Sequence, residues 1–119
     1  MDDNRELLAR AYSLFNVRDI EDVLRLMDPD VDWPNGMEGG RVHGHDEVRD
    51  YWKRQWAIYD PHVQPIGFRD GEDGETVVIV HQVVRDMTGT VLVDQLIDHA
   101  YWIENSLITK MEIRDHTEQ

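Results

Sequence analysis

Two long stretches of alternating, β-branched residues in the second half of the chain constrain its fold most strongly. Residues 76–85 (TVVIVHQVVR) and 91–104 (VLVDQLIDHAYWIE) flank residues 86–89 (DMTG), where a glycine suits the positive φ of a hairpin turn. After a turn at Asn105-Ser106, residues 107–114 are predicted to form another strand. Strands this long in a chain of 119 residues must bend strongly, because a flat sheet would leave its ends uncovered.

The first half of the chain has helical periodicity instead. A first helix is predicted from apolar residues spaced three and four positions apart: Leu7, Leu8, Ala11, Leu14 and Phe15. A second, short helix is predicted to begin after an N-cap at Asp19 and to stop at Asp28-Pro29. Its apolar face consists of Ile20, Val23, Leu24 and Met27. Residues 31–33 are expected to form a brief strand and residues 34–40 a loop, and a third helix is predicted from near His45 to the residue before Pro61.

Helices followed by antiparallel strands indicate an α+β fold rather than a parallel nucleotide-binding sheet. The length allows one domain, residues 1–119, with a single core. The glycines at 36, 39 and 40 lack the context of a phosphate-binding loop, so no nucleotide cofactor is expected. Two histidines at 43 and 45 beside an aspartate supply too few ligands for a metal ion, and none is predicted.

The composition excludes further classes of function. The absence of cysteine rules out disulfides, zinc–thiolate sites and cysteine nucleophiles. With 25 acidic and 12 basic residues the formal charge is −13, and so negative a surface repels nucleic acid and anionic membranes. No apolar run approaches the roughly 20 residues that span a bilayer, and the polar N-terminus lacks a signal-peptide core. A soluble, cytoplasmic protein is expected.

Several short stretches, in a fixed order along the chain, carry a family resemblance. They are residues 12–19 (YSLFNVRD), 29–33 (PDVDW), 44–48 (GHDEV) with Tyr51-Trp52, and 107–111 (LITKM). In order and spacing they resemble SnoaL-like proteins of the nuclear transport factor 2-like superfamily. The resemblance covers nearly the whole chain, and it implies a curved mixed or antiparallel sheet forming a cone, wrapped by three helices. It also implies a pocket between the sheet and the helices, and a homodimer.

The resemblance leaves the activity open, because one fold hosts many functions. Ketosteroid isomerases of this superfamily place an aspartate base before a proline after the first strand; here that dipeptide is Trp33-Pro34. Steroid isomerisation is therefore disfavoured. A cofactor-independent isomerase, dehydratase or cyclase remains, acting by general acid/base chemistry on an apolar cyclic metabolite. The alternatives are a non-catalytic small-molecule binding protein, and a dimerisation domain using an outer sheet face with Leu92, Leu96, Ala100 and Trp102.

His99 and His81 are the candidate catalytic residues, because they lie on strands joined by the turn at residues 86–90. With a three-residue loop and a glycine bulge, both histidines would share the face that looks into the pocket. A register slipped by one residue would place Gln82 inward with His99, and His81 outward beside Asp98. Both registers are compatible with the sequence.

The other candidate ligand contacts are mostly aromatic or amide side chains, since large rigid aromatics suit a flat apolar ligand. They are Tyr12, Trp33, Met37, Trp52, Trp56, Gln82, Gln95 and Tyr101. Gln95 or Tyr12 is the candidate to hold a developing oxyanion. The acidic cluster Asp70, Glu72, Asp73 and Glu75 is interpreted as a solvated hairpin tip.

Overall fold

The computed structural model describes residues 3–116. Over this range the chain forms three helices and six strands. In order they are α1 (Asp3–Asn16), α2 (Ile20–Leu24), β1 (Met27–Pro34), β2 (Arg41–His43), α3 (Gly44–Ile58), β3 (Tyr59–Asp70), β4 (Thr76–Asp86), β5 (Val91–Glu104) and β6 (Leu107–Asp115). The strands form one sheet in the order β2-β1-β6-β5-β4-β3, in which only β1 and β6 run parallel. The predicted α+β architecture with a curved mixed sheet is confirmed.

The helices form where the periodicity predicts them. Helix α1 buries Leu8, Ala11 and Tyr12 on one face, in agreement with the three- and four-residue spacing. At the start of α2, the Asp19 side chain accepts a hydrogen bond from the backbone N–H of Asp22, as an N-cap does. None of the helices in residues 3–116 is long and apolar enough to cross a membrane.

Strands β2 and β3 do not follow from the sequence pattern. Strand β3 contains Pro61, Pro65 and Gly67, three residues that weaken a strand prediction. The prolines are accommodated because β3 is an edge strand, paired only with β4, and the ladder shifts register between Pro65 and Gly67. Strand β2 has only three residues, too few for a period to be recognised.

The second predicted helix is shorter than expected. It ends at Leu24, and Met27 begins β1 instead of completing the helical face. Met27 remains buried, so its apolar character is used in the core although its secondary structure is different. The core lies between the inner face of the sheet and the helices. At the end of α1, the Asn16 side chain binds the backbone of β3: it donates to the Val63 carbonyl and accepts from the Val63 N–H.

Glu75 corrects the interpretation of residues 70–75 as a solvated tip. The residue is only 3% exposed. Its carboxylate accepts the backbone N–H of Asp73 at 2.8 Å and pairs with Arg114 at 3.0 Å. Burial alone would raise the pKa of this carboxyl, but the backbone N–H groups and the Arg114 guanidinium outweigh it and hold the pKa below its ordinary value. The carboxylate also covers Gly71, where a Cβ would lie 2.1 Å from it.

Candidate functional site

A cavity with about 90 Å³ of free space lies between the sheet and the helices. Helices α1 and α3 contribute Ala11, Tyr12, Phe15, Tyr51, Trp52 and Gln55 to its wall. The strands contribute Trp33, Pro34, Gln82, His99, Tyr101 and Met111, among others. Among the described lining residues none carries a carboxylate, an ammonium or a guanidinium group. The cavity is therefore apolar, with a few neutral polar groups.

Three of these polar groups form a buried chain of hydrogen bonds. The Tyr101 hydroxyl donates to the Tyr12 hydroxyl at 2.8 Å, and the Tyr12 oxygen lies 2.7 Å from Nδ1 of His99. Tyr12 accepts from Tyr101, and among residues 3–116 its own hydroxyl hydrogen has only His99 Nδ1 as an acceptor, so that hydrogen is directed to Nδ1. The imidazole therefore carries its own hydrogen on Nε2. That Nε2–H has no hydrogen-bond partner among residues 3–116, and His99 lines the cavity.

Burial keeps all three groups uncharged near neutral pH. Desolvation lowers the pKa of His99 to about 4, against a smaller opposing influence of the Asp98 charge. Desolvation likewise raises the pKa of Tyr12 well above 10, with further contributions from the neighbouring Tyr101. Burial also raises the pKa of Tyr101. At pH 7 the cavity thus presents a neutral imidazole that donates from Nε2.

The aromatic wall packs in edge-to-face pairs. Trp52 lies across Trp33, with ring centroids 5.6 Å apart, and across Phe15 at 5.4 Å. Trp33 and Pro34, at the position where ketosteroid isomerases are expected to carry their base, line the cavity with apolar surface. The indole nitrogens of Trp33 and Trp52 have no hydrogen-bond partner among the described residues.

The register of β4 and β5 places Gln82, not His81, on the cavity side. Gln82 pairs with Gln95 and Val78 with His99, so the second of the two registers that the sequence allowed is the one formed. Next to the turn, Arg85 pairs with Val91, but the following pair is Val84 with Val93. Leu92 is thus an extra residue in β5, and this bulge changes the register of everything beyond it.

His81 accordingly lies on the outer face of the sheet. Its Nε2 is 2.7 Å from the Asp94 carboxylate, rather than beside Asp98, and both side chains are exposed. This position corrects the expectation that His81 and His99 face one another in the pocket. The two imidazoles lie on opposite faces of the sheet, because cross-strand partners share a face and His81 pairs with Leu96.

The remaining candidates divide into two groups. Tyr12, Trp33, Trp52, Gln82 and Tyr101 line the cavity. Three others do not: Met37 and Trp56 pack against the core from outside the cavity wall, and Gln95 is exposed. Gln95 nevertheless donates from Nε2 to Gln82 Oε1 at 2.9 Å, so it orients a lining residue.

Two polar residues of the cavity wall were not among the predicted ligand contacts. Tyr51 and Gln55 lie one turn apart on α3, and the Gln55 amide donates to the Tyr51 hydroxyl at 3.4 Å. The Tyr51 hydroxyl also accepts the backbone N–H of Gly36. Both residues lie within one turn of Trp52 on α3, and this spacing was the signal from which their place in the wall could have been predicted.

The outer face holds two buried carboxylates, and neither opens into the cavity. Asp98 is bound by Arg69 at 3.1 Å and by His116 Nδ1 at 2.8 Å. Glu75 is bound by Arg114 as described above. No group of residues suited to hold a metal ion occurs within residues 3–116. His45 donates from Nε2 to the Met27 carbonyl, 3.0 Å away, which accounts for its orientation.

The family model of the SnoaL-like domain matches residues 8–111. The chain belongs to the SnoaL-like family. The resemblance inferred from its short sequence stretches is therefore confirmed. No protein of curated function matches the sequence significantly.

Solved structures extend the comparison of this SnoaL-like chain. An NTF2-like protein of unknown function from Burkholderia pseudomallei is 27% identical, with a TM-score of 0.83, covering 98% of this chain and 92% of that one. TerC, co-crystallised with polyporic acid, is also 27% identical, with a TM-score of 0.82 and coverage of 97% and 92%. Rv0760c from Mycobacterium tuberculosis, in complex with estradiol-17β-hemisuccinate, is 18% identical, with a TM-score of 0.79 and coverage of 93% and 92%. These neighbours share the cone fold, and two of them hold small organic ligands.

Proposed function

We propose that this SnoaL-like protein binds an apolar, ring-bearing metabolite and holds one of the metabolite's oxygen atoms on Nε2–H of His99. The observation that carries the proposal is the unpartnered, neutral imidazole N–H at a cavity whose wall is largely apolar and carries no charged group. A buried donor without a partner costs free energy, and a ligand oxygen would remove that cost. Polyporic acid in TerC and estradiol-17β-hemisuccinate in Rv0760c support a ligand of this general kind.

The free space of about 90 Å³ limits how a ligand enters. A cavity of about 150 Å³ accommodates benzene, so a ring of any size requires side chains to move. Met27 and Met111 line the cavity, and methionine is the most adaptable of the apolar side chains. We expect displacement of the Met27 and Met111 side chains to provide the remaining volume.

Binding is tested by titration with polyporic acid and estradiol-17β-hemisuccinate, followed by calorimetry and tryptophan fluorescence. Ala11→Leu fills the cavity from α1, because Ala11 is buried and lines the wall. Ala9→Leu, on the exposed side of the same helix, is the matched control. We expect saturable binding of at least one probe that Ala11→Leu weakens about tenfold or more and Ala9→Leu leaves unchanged. Equal affinity in both variants would place the ligand elsewhere and refute the proposal.

Catalysis is the second candidate function. A neutral N–H donor in an apolar cavity is suited to stabilise negative charge that develops on a substrate oxygen. His99 would then stabilise this charge by hydrogen bonding from Nε2–H, without losing the proton, in a cofactor-independent isomerisation, dehydration or cyclisation, and no partnership with His81 is involved. Once a substrate is found, His99→Gln should abolish turnover while the fold persists, and His81→Gln should retain it. An unchanged rate in His99→Gln would leave only non-catalytic binding.

We further propose a homodimer through the outer sheet face, as the family resemblance implies. Leu92 and Leu96 are 50% and 39% exposed there. The patch is smaller than the sequence suggested, because Ala100 is fully buried and Trp102 lies partly beneath Lys110 and Arg114. Size-exclusion chromatography with light scattering measures the mass, and a monomer at micromolar concentration would contradict this proposal.

A further inference from the structure

We propose that the Tyr101–Tyr12–His99 chain makes the cavity selective for ligand oxygens that accept hydrogen bonds without donating them, as in ketones, quinones and enolates, and that Tyr12 determines this selectivity. The inference rests on the proposed function, since it specifies the chemistry of the ligand that the cavity binds. It assigns a specificity role to a residue that itself touches His99.

The Tyr101 hydroxyl determines in which direction the hydrogen bonds of the chain run. The Tyr101 hydroxyl has one partner within residues 3–116, the Tyr12 oxygen. If the chain ran in reverse, from His99 Nδ1–H through Tyr12 to Tyr101, the Tyr101 hydrogen would be buried without an acceptor. The geometry of the contact also has the Tyr101 hydroxyl as the donor and the Tyr12 oxygen as the acceptor. The favoured direction therefore starts at Tyr101 and leaves His99 as the Nε2–H tautomer.

Gln82 is oriented in a similar way by a residue outside the cavity wall. Its Oε1 accepts a hydrogen bond from Gln95 Nε2, so its own amide N–H groups are the ones left without a partner among residues 3–116. Gln82 and His99 are both directed to the inner face, on neighbouring strands. On each of them, the acceptor atom already receives one hydrogen bond from another side chain. The strand side of the cavity therefore offers two donors.

A hydroxyl in this position is disfavoured for a definite reason. It can accept from His99 Nε2–H, but its own hydrogen then needs a separate acceptor, for which the described cavity wall offers the amide oxygens of Gln55 and Gln82, or it must reverse the chain and leave the Tyr101 hydrogen unpaired. A carbonyl oxygen of the same size makes the same contact without either cost. An unsatisfied buried hydrogen-bonding group corresponds to about a tenfold preference or more for the carbonyl.

Comparing Tyr12→Phe with Tyr101→Phe shows whether the selectivity depends on the Tyr12 hydroxyl in particular or on the loss of any buried hydroxyl. Both variants remove one buried hydroxyl and keep the ring. Without the Tyr12 hydroxyl, His99 Nδ1 loses its donor, and the imidazole can adopt either tautomer to suit the ligand. Without the Tyr101 hydroxyl, Tyr12 still donates to Nδ1, because reversal would now leave the Tyr12 hydrogen unpaired.

The experiment compares cyclohexanone with cyclohexanol, two achiral rings that differ only at the oxygen. NMR titrations give the ratio of the two affinities in the wild type and in both variants, and the side-chain ¹⁵N shifts of His99 report its tautomer. We expect the ketone-to-alcohol ratio to fall about tenfold in Tyr12→Phe and to persist in Tyr101→Phe. The wild type and Tyr101→Phe should show Nε2–H, and Tyr12→Phe a mixture of tautomers.

Each possible result decides something. An Nδ1–H tautomer in the wild type overturns the inference without any ligand and without any variant. An unchanged ratio in Tyr12→Phe also overturns it, even if both rings bind. Failure of both rings to bind the wild type, with the Nε2–H tautomer observed, contradicts the proposed binding function, and the selectivity falls with it.

Discussion

The burial of His99 makes the stability of the fold depend on pH in a calculable way. The folded protein keeps this imidazole neutral down to a pKa of about 4, whereas the unfolded chain binds the proton near 6.5. Between these values the unfolded state holds more protons than the native state, so the free energy of unfolding falls as the pH is lowered. The contribution of His99 is fully present above about pH 7 and is lost progressively towards pH 4.

The size of the effect follows from the difference between the two pKa values. Each tenfold change in proton affinity corresponds to about 1.4 kcal/mol, so the drop from 6.5 to about 4 amounts to about 3 kcal/mol. Integrated only from pH 7 to pH 5, the loss is about 2 kcal/mol. A loss of this size is a substantial fraction of the stability of a small domain.

The assay is urea denaturation at pH 7 and pH 5, performed on the wild type, His99→Gln and His81→Gln. Glutamine at position 99 offers an oxygen to the Tyr12 hydroxyl and does not titrate. We expect the wild type and His81→Gln to lose about 2 kcal/mol more than His99→Gln over this interval. The many carboxylates affect all three proteins alike and cancel in the comparison. Equal losses in the wild type and His99→Gln would refute the assignment of a neutral, buried imidazole.

Three further perturbations test the packing, the capping and the surface. Gly71→Ala should destabilise the protein by about 1–3 kcal/mol in urea denaturation, because the new Cβ would lie 2.1 Å from the Glu75 carboxyl. Asp19→Ala should cost about 1 kcal/mol in the same assay through loss of the α2 N-cap. Leu96→Asp should convert the proposed homodimer to a monomer in light scattering, since this half-exposed side chain lies on the outer face.

Each of these three substitutions has a matched control variant. Gly36→Ala places a Cβ at ordinary contact distances of 3.6 Å and more, and should be tolerated; equal losses at positions 36 and 71 would show that the close contact does not matter. For Asp19, the Asp19→Asn variant retains a capping oxygen and should restore most of the stability. For Leu96, a Val17→Asp change at the residue after α1, whose side chain is 72% exposed, should leave the mass unchanged, and a mass that responds to both would argue against a specific interface.

The sequence predicts those parts of the fold that rest on local regularities. The spacing of Leu8, Ala11 and their neighbours identifies α1, and the Asp19 side chain marks the start of α2. The long alternation through β4 and β5 requires a bent sheet. Strand β3 escapes prediction because its prolines and glycine are acceptable only at an edge, and edge position is a property of the finished sheet.

The candidate site is predictable in its membership but not in its arrangement. Aromatic and amide residues on the right elements predict Trp33, Trp52 and Gln82 as candidate ligand contacts, and all three line the cavity. The contact between Tyr12 and Tyr101 joins residues far apart in the chain, and no spacing rule anticipates it. The choice between His81 and Gln82 depends on a bulge at Leu92, a residue with no local feature that distinguishes it from its neighbours.

The extra residue at Leu92 also separates two parts of the long hairpin. On one side, the pairing is set by the turn, where Asp86 N–H bonds the Thr90 carbonyl and Arg85 pairs with Val91. On the other side, the pairing from Val84 and Val93 onward is set by the side chains that face the cavity. Deleting Leu92 should merge the two ladders into a regular one and keep His99 on the inner face, which the His99 ¹⁵N shifts would verify. The end of this hairpin is thus an exchangeable tip, whose length and sequence can vary while the chemistry of the interior stays constant.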